Sequence, residues 1–198
     1  APFHKRYPYV TLNIMEAVNF IAENSLETSS IDLTLYNIHE FPETMDYQIL
    51  RSEEIVLVLH ENHPLAAKAI TRPGFRYPWL DLSLLRDENF ILLYPDQNTG
   101  GIARDLFARH EINPPVLLHT RNSQMSIKLA MDGMGAAFAP ESYFNYMASL
   151  RSDRPGCYCV GEKPVLTTTI AACRPGRYMP KHVKDYIDLL KIYGNSSS

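Results

Sequence analysis

Apolar positions along the chain follow two patterns, continuous short runs and a spacing of three or four residues, and the two patterns alternate. Short runs of consecutive apolar residues, such as those at 55–59 and 136–139, predict strands that are buried on both faces. Segments such as 123–134 and 180–194 place apolar side chains every three or four residues, which predicts amphipathic helices. Strand and helix patterns follow each other along the chain, and this order predicts an α/β fold built on a parallel sheet covered by helices.

The predicted elements have bounds that the structure can test. Helix-breaking and strand-breaking residues mark two of the ends: Gly133 is expected to end a helix that Ser123 caps, and Pro140 is expected to end the next strand because proline cannot donate to a ladder. Strands are expected at 9–15, 31–36, 53–60, 89–94, 114–120 and 136–139, with two further strand-like pieces within 158–175, and helices at 16–26, 78–85, 100–112, 123–133 and 180–194.

The composition limits the class of protein. A chain of 198 residues with 45% hydrophobic content can bury a core, as one domain or as two small lobes. Its net charge of -3 argues against a broad basic face, so this chain alone is not expected to bind DNA. No apolar run approaches the length of a membrane span, and the first ten residues lack a signal-peptide hydrophobic region. The three cysteines fit a reducing compartment, so a cytoplasmic location is expected.

The residues that carry catalysis or bind metals do not occur in a recognisable pattern. The sequence has no phosphate-binding glycine loop, no serine nucleophile elbow and no cysteine with an evident histidine partner. His60 and His63 form an HxxH pair, but His60 closes a predicted strand, whereas zinc proteases carry their pair on a helix. The neighbouring acids Glu53 and Glu54 are expected on a solvated face. We therefore expect no enzyme, no metal site and no cofactor.

Three segments resemble a known family in the order in which they occur. HENHPLA at 60–66 follows an apolar strand, PWLDLSLLRDENFILL spans 78–93, and GMGAAFAP spans 133–140. With the order of the elements, they resemble the effector-binding domain of LysR-type transcriptional regulators over nearly the whole chain. The resemblance implies the α/β fold of type II periplasmic-binding proteins, in which two α/β lobes are joined by two crossing strands and a ligand binds between the lobes.

The resemblance also implies a division of the chain into lobes. Lobe I would hold residues 1–60 and 167–198, and lobe II would hold residues 61–166. The crossing strands would lie at 55–60 and 166–172, and two connections of this kind allow hinge motion. The family's winged-helix DNA-binding domain has no counterpart in this sequence, and neither does the first strand of the effector domain. Only the last few residues of the helix after that strand are expected, near the beginning of the chain.

If the fold is that of the family, three helix starts line the cleft, and their unpaired N–H groups favour an anion. The first lies near Val18 and Asn19, where the family often has a glycine and a hydroxyl residue. The second begins at Asn98 and Thr99, where Thr99 can cap the helix and the two glycines that follow permit close backbone approach. The alternative for this second start is an ordinary helix cap in a loop.

The third helix start, formed by Arg121, Asn122 and Ser123, is the preferred ligand site. An arginine beside a helix amino end can hold a carboxylate or phosphate through two hydrogen bonds. The alternative is that Arg121 is an ordinary solvated surface charge. On the second crossing strand, alternation aims at most two of the threonines at 167–169 toward the cleft, and Thr168 is the candidate. Threonine is also common in strands without any binding role.

The leading hypothesis is a ligand-sensing regulatory domain. A small, anionic metabolite would close the cleft and shift a homo-oligomer that positions DNA-binding domains located elsewhere in the parent protein. The resemblance implies an antiparallel dimer, lobe I against lobe II, or a tetramer built from it. No membrane partner is expected. The alternative is a solute-binding protein of the same fold that serves transport.

Overall fold

The computed structural model describes residues 2–15, 30–38, 46–174, 176 and 178–195. Short helices and strands alternate in this part of the chain, and two 3₁₀ turns lie at Pro64–Lys68 and Leu82–Leu85. In chain order, the elements are α1 (Pro2–Arg6), β1 (Thr34–Ile38), β2 (Asp46–Leu59), β3 (Phe90–Leu93), α2 (Asn98–Arg109), β4 (Val116–Thr120), α3 (Ser123–Met131), β5 (Ala137–Pro140), α4 (Glu141–Ser149), β6 (Gly156–Tyr158), β7 (Leu166–Cys173) and α5 (Lys181–Asn195).

The chain divides into two compact units. The first comprises Ala1–Ser52 and Thr168–Ser198, and the second comprises Glu53–Thr167. The division falls inside β2 and inside β7, so these two strands carry the chain from one unit to the other.

The first unit is built on the strand order β1-β7-β2. β1 pairs antiparallel with β7, with Thr34 opposite Ala172 and Ile38 opposite Thr168. α5 buries one face, as its periodicity predicts, and this face packs against residues of β2 and β7 in a core made of Leu50, Ala171, Cys173, Val183 and Ile187. α1 packs on α5 through Phe3, whose ring centroid lies 5.0 Å from that of Tyr186.

The strand predicted at 9–15 is wrong. Residues 10–15 adopt no helix or strand, and the side chain of Ile14 is 85% exposed. An apolar sequence pattern is not enough to make a strand, because a strand is stabilised by a ladder of hydrogen bonds to a neighbour. No such ladder is recorded for this segment within the described part of the chain. The helix predicted at 16–26 lies outside the described residues.

The second unit contains a mixed sheet rather than the wholly parallel sheet that the sequence predicts. β2 pairs antiparallel with both β5 and β6. β3 and β4 pair in parallel, and a parallel bridge joins Phe90 of β3 to Ala136, the residue before β5. β3, β4 and β5 follow one another through the helices α2 and α3, and such connections bring strands back in the same direction. β2 runs in the opposite direction, so its pairs with β5 and β6 are antiparallel.

Both faces of β2 are buried in the second unit, which explains its uninterrupted apolar sequence. Ile55, Leu57 and Leu59 lie on one face, in a cluster that includes Phe90 and Leu106. The alternate residues Val56 and Val58 pack on the other face against α3 and α4, in a cluster completed by Ile127, Ala130, Met131, Ala137, Ala139 and Phe144. β2 begins at Asp46, however, seven residues before the predicted start.

α3 ends as the sequence predicts. Gly133 has a φ of +85°, a left-handed conformation that glycine adopts without strain. The backbone N–H of Gly133 donates to the carbonyl of Ala130 at 3.0 Å, and that of Met134 donates to Leu129 at 3.0 Å. These two bonds form a Schellman motif. β5 then starts within four residues and ends at Pro140, also as predicted.

Candidate functional site

The carboxyl ends of the parallel strands β3 and β4 form one edge of the second unit. Leu93 lies opposite Thr120 in the ladder, so the loops that follow the two strands start side by side. The loop after β3 leads into α2 at Asn98, and the loop after β4 leads into α3 at Ser123. Two of the three predicted helix starts therefore meet at this edge, where ligands bind in α/β sheets.

The Arg121 side chain already has partners at this edge. Its Nη1 atom lies 2.9 Å from Oδ2 of Asp96, and its guanidinium carbon lies 4.7 Å from the centroid of the Tyr94 ring. The Arg121 and Asp96 side chains are 51% and 53% exposed. The hydrogen bond from Arg121 lowers the pKa of the Asp96 carboxyl, so Asp96 is ionised at neutral pH. Arg121 is thus neither buried nor free of interactions.

Gln97 connects the two loops. Its Nε2 donates to the backbone carbonyl of Arg121 at 3.1 Å. Its Oε1 is buried and has no hydrogen-bond partner among the described residues. A buried acceptor without a donor is destabilising unless a further group supplies one. The sequence pattern did not identify Gln97, because its hydrogen bond to Arg121 forms only when β3 and β4 lie side by side.

The start of α2 differs from the prediction. Gln97 occupies the N-cap position and makes no side-chain cap, whereas Thr99 lies buried inside the first turn. The expected cap by Thr99 is therefore wrong, since a residue with helical dihedrals inside the helix is not in the cap position. The Asn98 side chain also has a partner within the protein, since its Nδ2 donates to Oγ1 of Thr167 at 2.7 Å.

Gly100 is required at this site by packing within the protein. A Cβ atom at this position would lie 2.1 Å from the carbonyl oxygen of Tyr94 and 2.6 Å from that of Leu93. The first turn of α2 therefore lies directly against the end of β3. The close backbone approach that the sequence predicts does occur, and the partner in the structure is the protein's own backbone.

The start of α3 is capped by Asn122 and not by Ser123. The Asn122 backbone is extended, with φ -99° and ψ 105°, and its Oδ1 accepts a hydrogen bond from the backbone N–H of Met125 at 3.0 Å. Ser123 is already helical, and for this reason the predicted Ser123 cap is wrong. The backbone N–H of Asn122 in turn donates to Oγ1 of Thr120 at 3.1 Å.

The cap gives a direct prediction. Asn122→Ala should lower the free energy of unfolding by about 1 kcal/mol, because it removes the acceptor for one of the unpaired N–H groups of α3. Urea denaturation of the purified chain measures this. Ser123→Ala is the matched control and should cost less than about 0.5 kcal/mol. A larger loss for Ser123→Ala than for Asn122→Ala would show that the cap is misassigned.

The remaining predicted ligand residues lie elsewhere. Val18 and Asn19 are outside the described residues. Thr168 belongs to the first unit, where its Oγ1 lies 2.9 Å from Oγ of Ser52 and the two hydroxyls share a hydrogen bond. Thr169 donates to Oδ1 of Asn37 at 2.6 Å. The binding roles of Val18, Asn19 and Thr168 stay predictions.

A buried acidic cluster lies where β2 enters the second unit. Glu54 and Glu141 are each 7% exposed, so the solvated face expected for Glu54 is wrong. Side chains alternate between the two faces of a strand, so Glu54 lies on the same face of β2 as Val56 and Val58, which are buried. Its neighbour Glu53 accepts a hydrogen bond from the backbone N–H of Ser142 at 2.7 Å.

The two buried carboxylates differ in their partners. Glu141 pairs with Arg76 at 2.7 Å and accepts a hydrogen bond from the Tyr77 hydroxyl at 2.8 Å. Oε1 of Glu54 has no hydrogen-bond partner among the described residues. Burial raises the pKa of Glu54, a hydrogen bond from Cys159 opposes this, and the negative charge of Glu141 adds to the rise. Burial and the bond to Glu141 raise the pKa of Tyr77 to about 12.

Two neighbouring cysteines have raised pKa values, and the two histidines of the HxxH pair make local hydrogen bonds. Burial raises the pKa of both Cys157 and Cys159, that of Cys159 to about 12, so neither thiol forms a nucleophilic thiolate at neutral pH. His63 caps the first 3₁₀ turn by accepting from the backbone N–H of Leu65 at 3.3 Å. His60 accepts from the N–H of Asn62 at 3.2 Å. The described residues include no group of three or more acidic, histidine or cysteine side chains placed to hold a metal ion.

No helix within the described ranges is long and apolar enough to cross a membrane.

Comparison with known proteins gives sequence relatives over most of the chain. Residues 1–193 match the family model described as the LysR substrate binding domain. The chain is 27% identical over 149 residues to the transcriptional activator protein LysR of Escherichia coli K12, which covers 75% of this chain and 45% of LysR. It is 28% identical over 142 residues to the HTH-type transcriptional regulator MetR of Escherichia coli K12, which covers 70% of this chain and 40% of MetR. The chain thus spans less than half the length of these curated relatives.

Solved structures share the fold. The regulatory domain of CcmR from Synechocystis PCC6803, in complex with 2-PG, gives a TM-score of 0.76 at 20% identity over 97% of this chain and 87% of that chain. The regulatory domain of MetR from N. meningitidis gives 0.76 at 20% identity over 99% and 85%. The effector binding domain of QuiR, in complex with shikimate, gives 0.74 at 19% identity over 98% and 88%.

These likenesses establish the type II periplasmic-binding-protein-like α/β fold that the sequence predicts. The sequence relatives are transcriptional regulators, and they do not favour the transport alternative. Since the matching family model covers nearly the whole chain, this protein belongs to the LysR substrate-binding domain family.

Proposed function

We propose that this chain is the ligand-sensing domain of a LysR-type bacterial transcription regulator, and that it binds a small, anionic metabolite between its two lobes. The observation that carries this proposal is the meeting of two helix amino ends and Arg121 at the carboxyl edge of β3 and β4. The two helices place the backbone N–H groups of their first turns and the positive ends of their dipoles at one edge. An anion is the ligand class that such an edge favours.

The side chains at this edge support the same ligand class. Arg121 supplies a guanidinium group that is half exposed and therefore accessible. Val18, Asn19, Asn98, Thr99, Asn122, Ser123 and Thr168 are the other residues that we propose to line the ligand site.

We take the two compact units as the two lobes of the family. Because β2 and β7 are the strands that pass from one unit to the other, they are the proposed hinges. A ligand can shift the equilibrium between an open and a closed arrangement only by its differential affinity for the two. A shift from 1:99 to 99:1 needs a difference of about 10⁴-fold, so the ligand must make contacts that exist only in the closed arrangement.

The parent protein is proposed to be a cytoplasmic, DNA-binding homo-oligomer. The curated relatives are more than twice as long as the matched region, so we place the DNA contacts in a domain outside this chain. We propose an antiparallel homodimer as the basic assembly. β4 supports a subunit contact, because Val116 and Leu117 on this strand are 40% and 48% exposed despite being apolar.

The proposal predicts a saturable ligand whose affinity depends on Arg121. Arg121→Ala should weaken binding by about tenfold or more, because a hydrogen bond to a charged group contributes about 1.5–3 kcal/mol. Isothermal titration calorimetry with a panel of organic acids, sugar phosphates and amino acids measures this. Arg104→Ala is the matched control, since Arg104 is an exposed arginine on α2.

Two outcomes would count against the proposal. If no compound in the panel binds, the ligand-sensing function of this chain is not supported. If a compound binds equally well to wild type, Arg121→Ala and Arg104→Ala, then Arg121 does not belong to the site. Loss of binding in both arginine variants would point to net charge rather than to a specific contact.

A further inference from the structure

We propose that Asp96 is the residue that sets anion affinity at this edge, because it holds the Arg121 guanidinium in place of a ligand. This inference rests on the proposed function and adds a specificity-determining residue to it. The carboxylate of Asp96 offers Arg121 the same chemical group as a carboxylate ligand, and its Oδ2 lies 2.9 Å from Nη1. An incoming anion must therefore compete with an internal one.

The internal carboxylate has an advantage over a free ligand. Asp96 belongs to the loop that joins β3 to α2, and this loop is tied to Arg121 a second time by the hydrogen bond from Gln97 to the Arg121 carbonyl. The two charges are thus held close without any loss of translational freedom, whereas a free anion loses that freedom on binding. Anions that bind weakly are excluded, and ligands with further contacts are selected.

Asp96 is not needed to orient the guanidinium. The Tyr94 ring lies under the guanidinium of Arg121, 4.7 Å from its carbon to the ring centroid, and Gln97 fixes the Arg121 backbone. Stacking of this kind stabilises an arginine independently of any carboxylate. When the charge of Asp96 is removed, Arg121 therefore keeps its place and gains an open hydrogen-bonding edge. Neutralising Asp96 should raise anion affinity.

The size of the effect follows from the exposure of the pair. An ion pair whose side chains are both about half exposed is worth at most about 1 kcal/mol, so removing it should tighten anion binding by no more than about fivefold. The loss of a nearby negative charge alone would act in the same direction. A control with the same change in net charge is therefore essential.

The test uses Asp96→Asn and Asp105→Asn, with inorganic phosphate as the probe. Asp105 also lies at the second unit's surface, on α2, and pairs at 3.5 Å with Arg104. Nuclear magnetic resonance titration, followed at the Arg121 Nε–H, reports binding at this arginine. We expect Asp96→Asn to bind phosphate about three- to fivefold more tightly than wild type, and Asp105→Asn to behave like wild type.

Two results would overturn the inference. Equal gains for Asp96→Asn and Asp105→Asn would mean that net charge alone sets the affinity. An Arg121 resonance that phosphate does not shift, in wild type or in Asp96→Asn, would mean that Arg121 is closed to anions. Neither result decides the proposed function, which fails only if the metabolite panel shows no saturable binding to wild type.

Discussion

Gly100→Ala should destabilise the chain by about 3 kcal/mol. The added Cβ would lie 2.1 Å from the carbonyl oxygen of Tyr94 and 2.6 Å from that of Leu93. Both atoms belong to the backbone, so the clash cannot be relieved by a side-chain rotation, and α2 must move away from the end of β3. Overpacking of this kind costs about 1–3 kcal/mol, and we expect the upper end because two backbone groups are involved.

The sign of this effect makes the test decisive. Helix propensity alone would make alanine more stable than glycine within α2 by about 1 kcal/mol. Urea denaturation of wild type and Gly100→Ala measures the difference in the free energy of unfolding. Gly133→Ala is the control: its Cβ would meet only the His60 ring at 3.5 Å, so its cost should be about 1–2 kcal/mol from the left-handed φ. A neutral or stabilising Gly100→Ala would contradict the close packing of α2 on β3.

The same variant links stability to ligand binding. Displacement of α2 would also displace the loop that contains Asp96 and Gln97, which together contact Arg121 through its side chain and its carbonyl. The geometry of the candidate site therefore depends on the close packing of α2 on β3 at Gly100. Glycines beside a helix start are often interpreted as space for a ligand, and here the space is filled by the protein itself.

The parts of the fold that the sequence predicts are those that depend on local pattern. The apolar run at 55–59 is buried on both faces of β2, and Gly133 adopts the left-handed conformation that ends α3. Residues 46–52, the first half of β2, escaped prediction because Tyr47, Ile49 and Leu50 do not alternate regularly with polar residues. Segment 9–15 failed for the opposite reason, since its pattern is that of a strand but no ladder is recorded for it.

The candidate site was predictable only in part. The helix starts at 98 and 123 and the position of Arg121 follow from the chain itself. The Asp96 and Gln97 contacts do not, because they depend on β3 and β4 lying side by side with Leu93 opposite Thr120. Asn122 and Ser123 are both good cap residues, and only the backbone dihedrals distinguish them. Alternation along β2 could have indicated that Glu54 is buried with Val56.

Glu54→Gln should stabilise the chain at neutral pH and remove a specific part of its pH dependence. The Glu54 carboxyl is 7% exposed, has one oxygen without a described partner, and interacts with Cys159, Glu141, Arg76 and Cys157. Arg76 is the only cation in this group, and it already pairs with Glu141 at 2.7 Å. A charge on Glu54 is therefore poorly compensated.

The direction of the pH effect follows from the raised pKa of Glu54 in the folded state. Above the pKa of about 4.3 that a glutamate has in an unfolded chain, the unfolded state has lost the proton while the folded state still holds it. Stability therefore falls as the pH rises from there to the folded pKa, and the full penalty is present above that value. Glutamine cannot ionise and escapes this penalty.

The advantage of Glu54→Gln over wild type should thus be small at pH 4.5 and increase toward pH 8. It should be largest at pH 8, where the ionised Glu54 of wild type carries the full penalty of its burial. Urea denaturation at several pH values measures this difference. Glu162→Gln, which changes an exposed carboxylate, is the matched control and should follow wild type at every pH. If Glu54→Gln also runs parallel to wild type from pH 4.5 to 8, Glu54 is ionised in the folded state at no cost, and the buried acidic cluster must be compensated by groups other than Arg76.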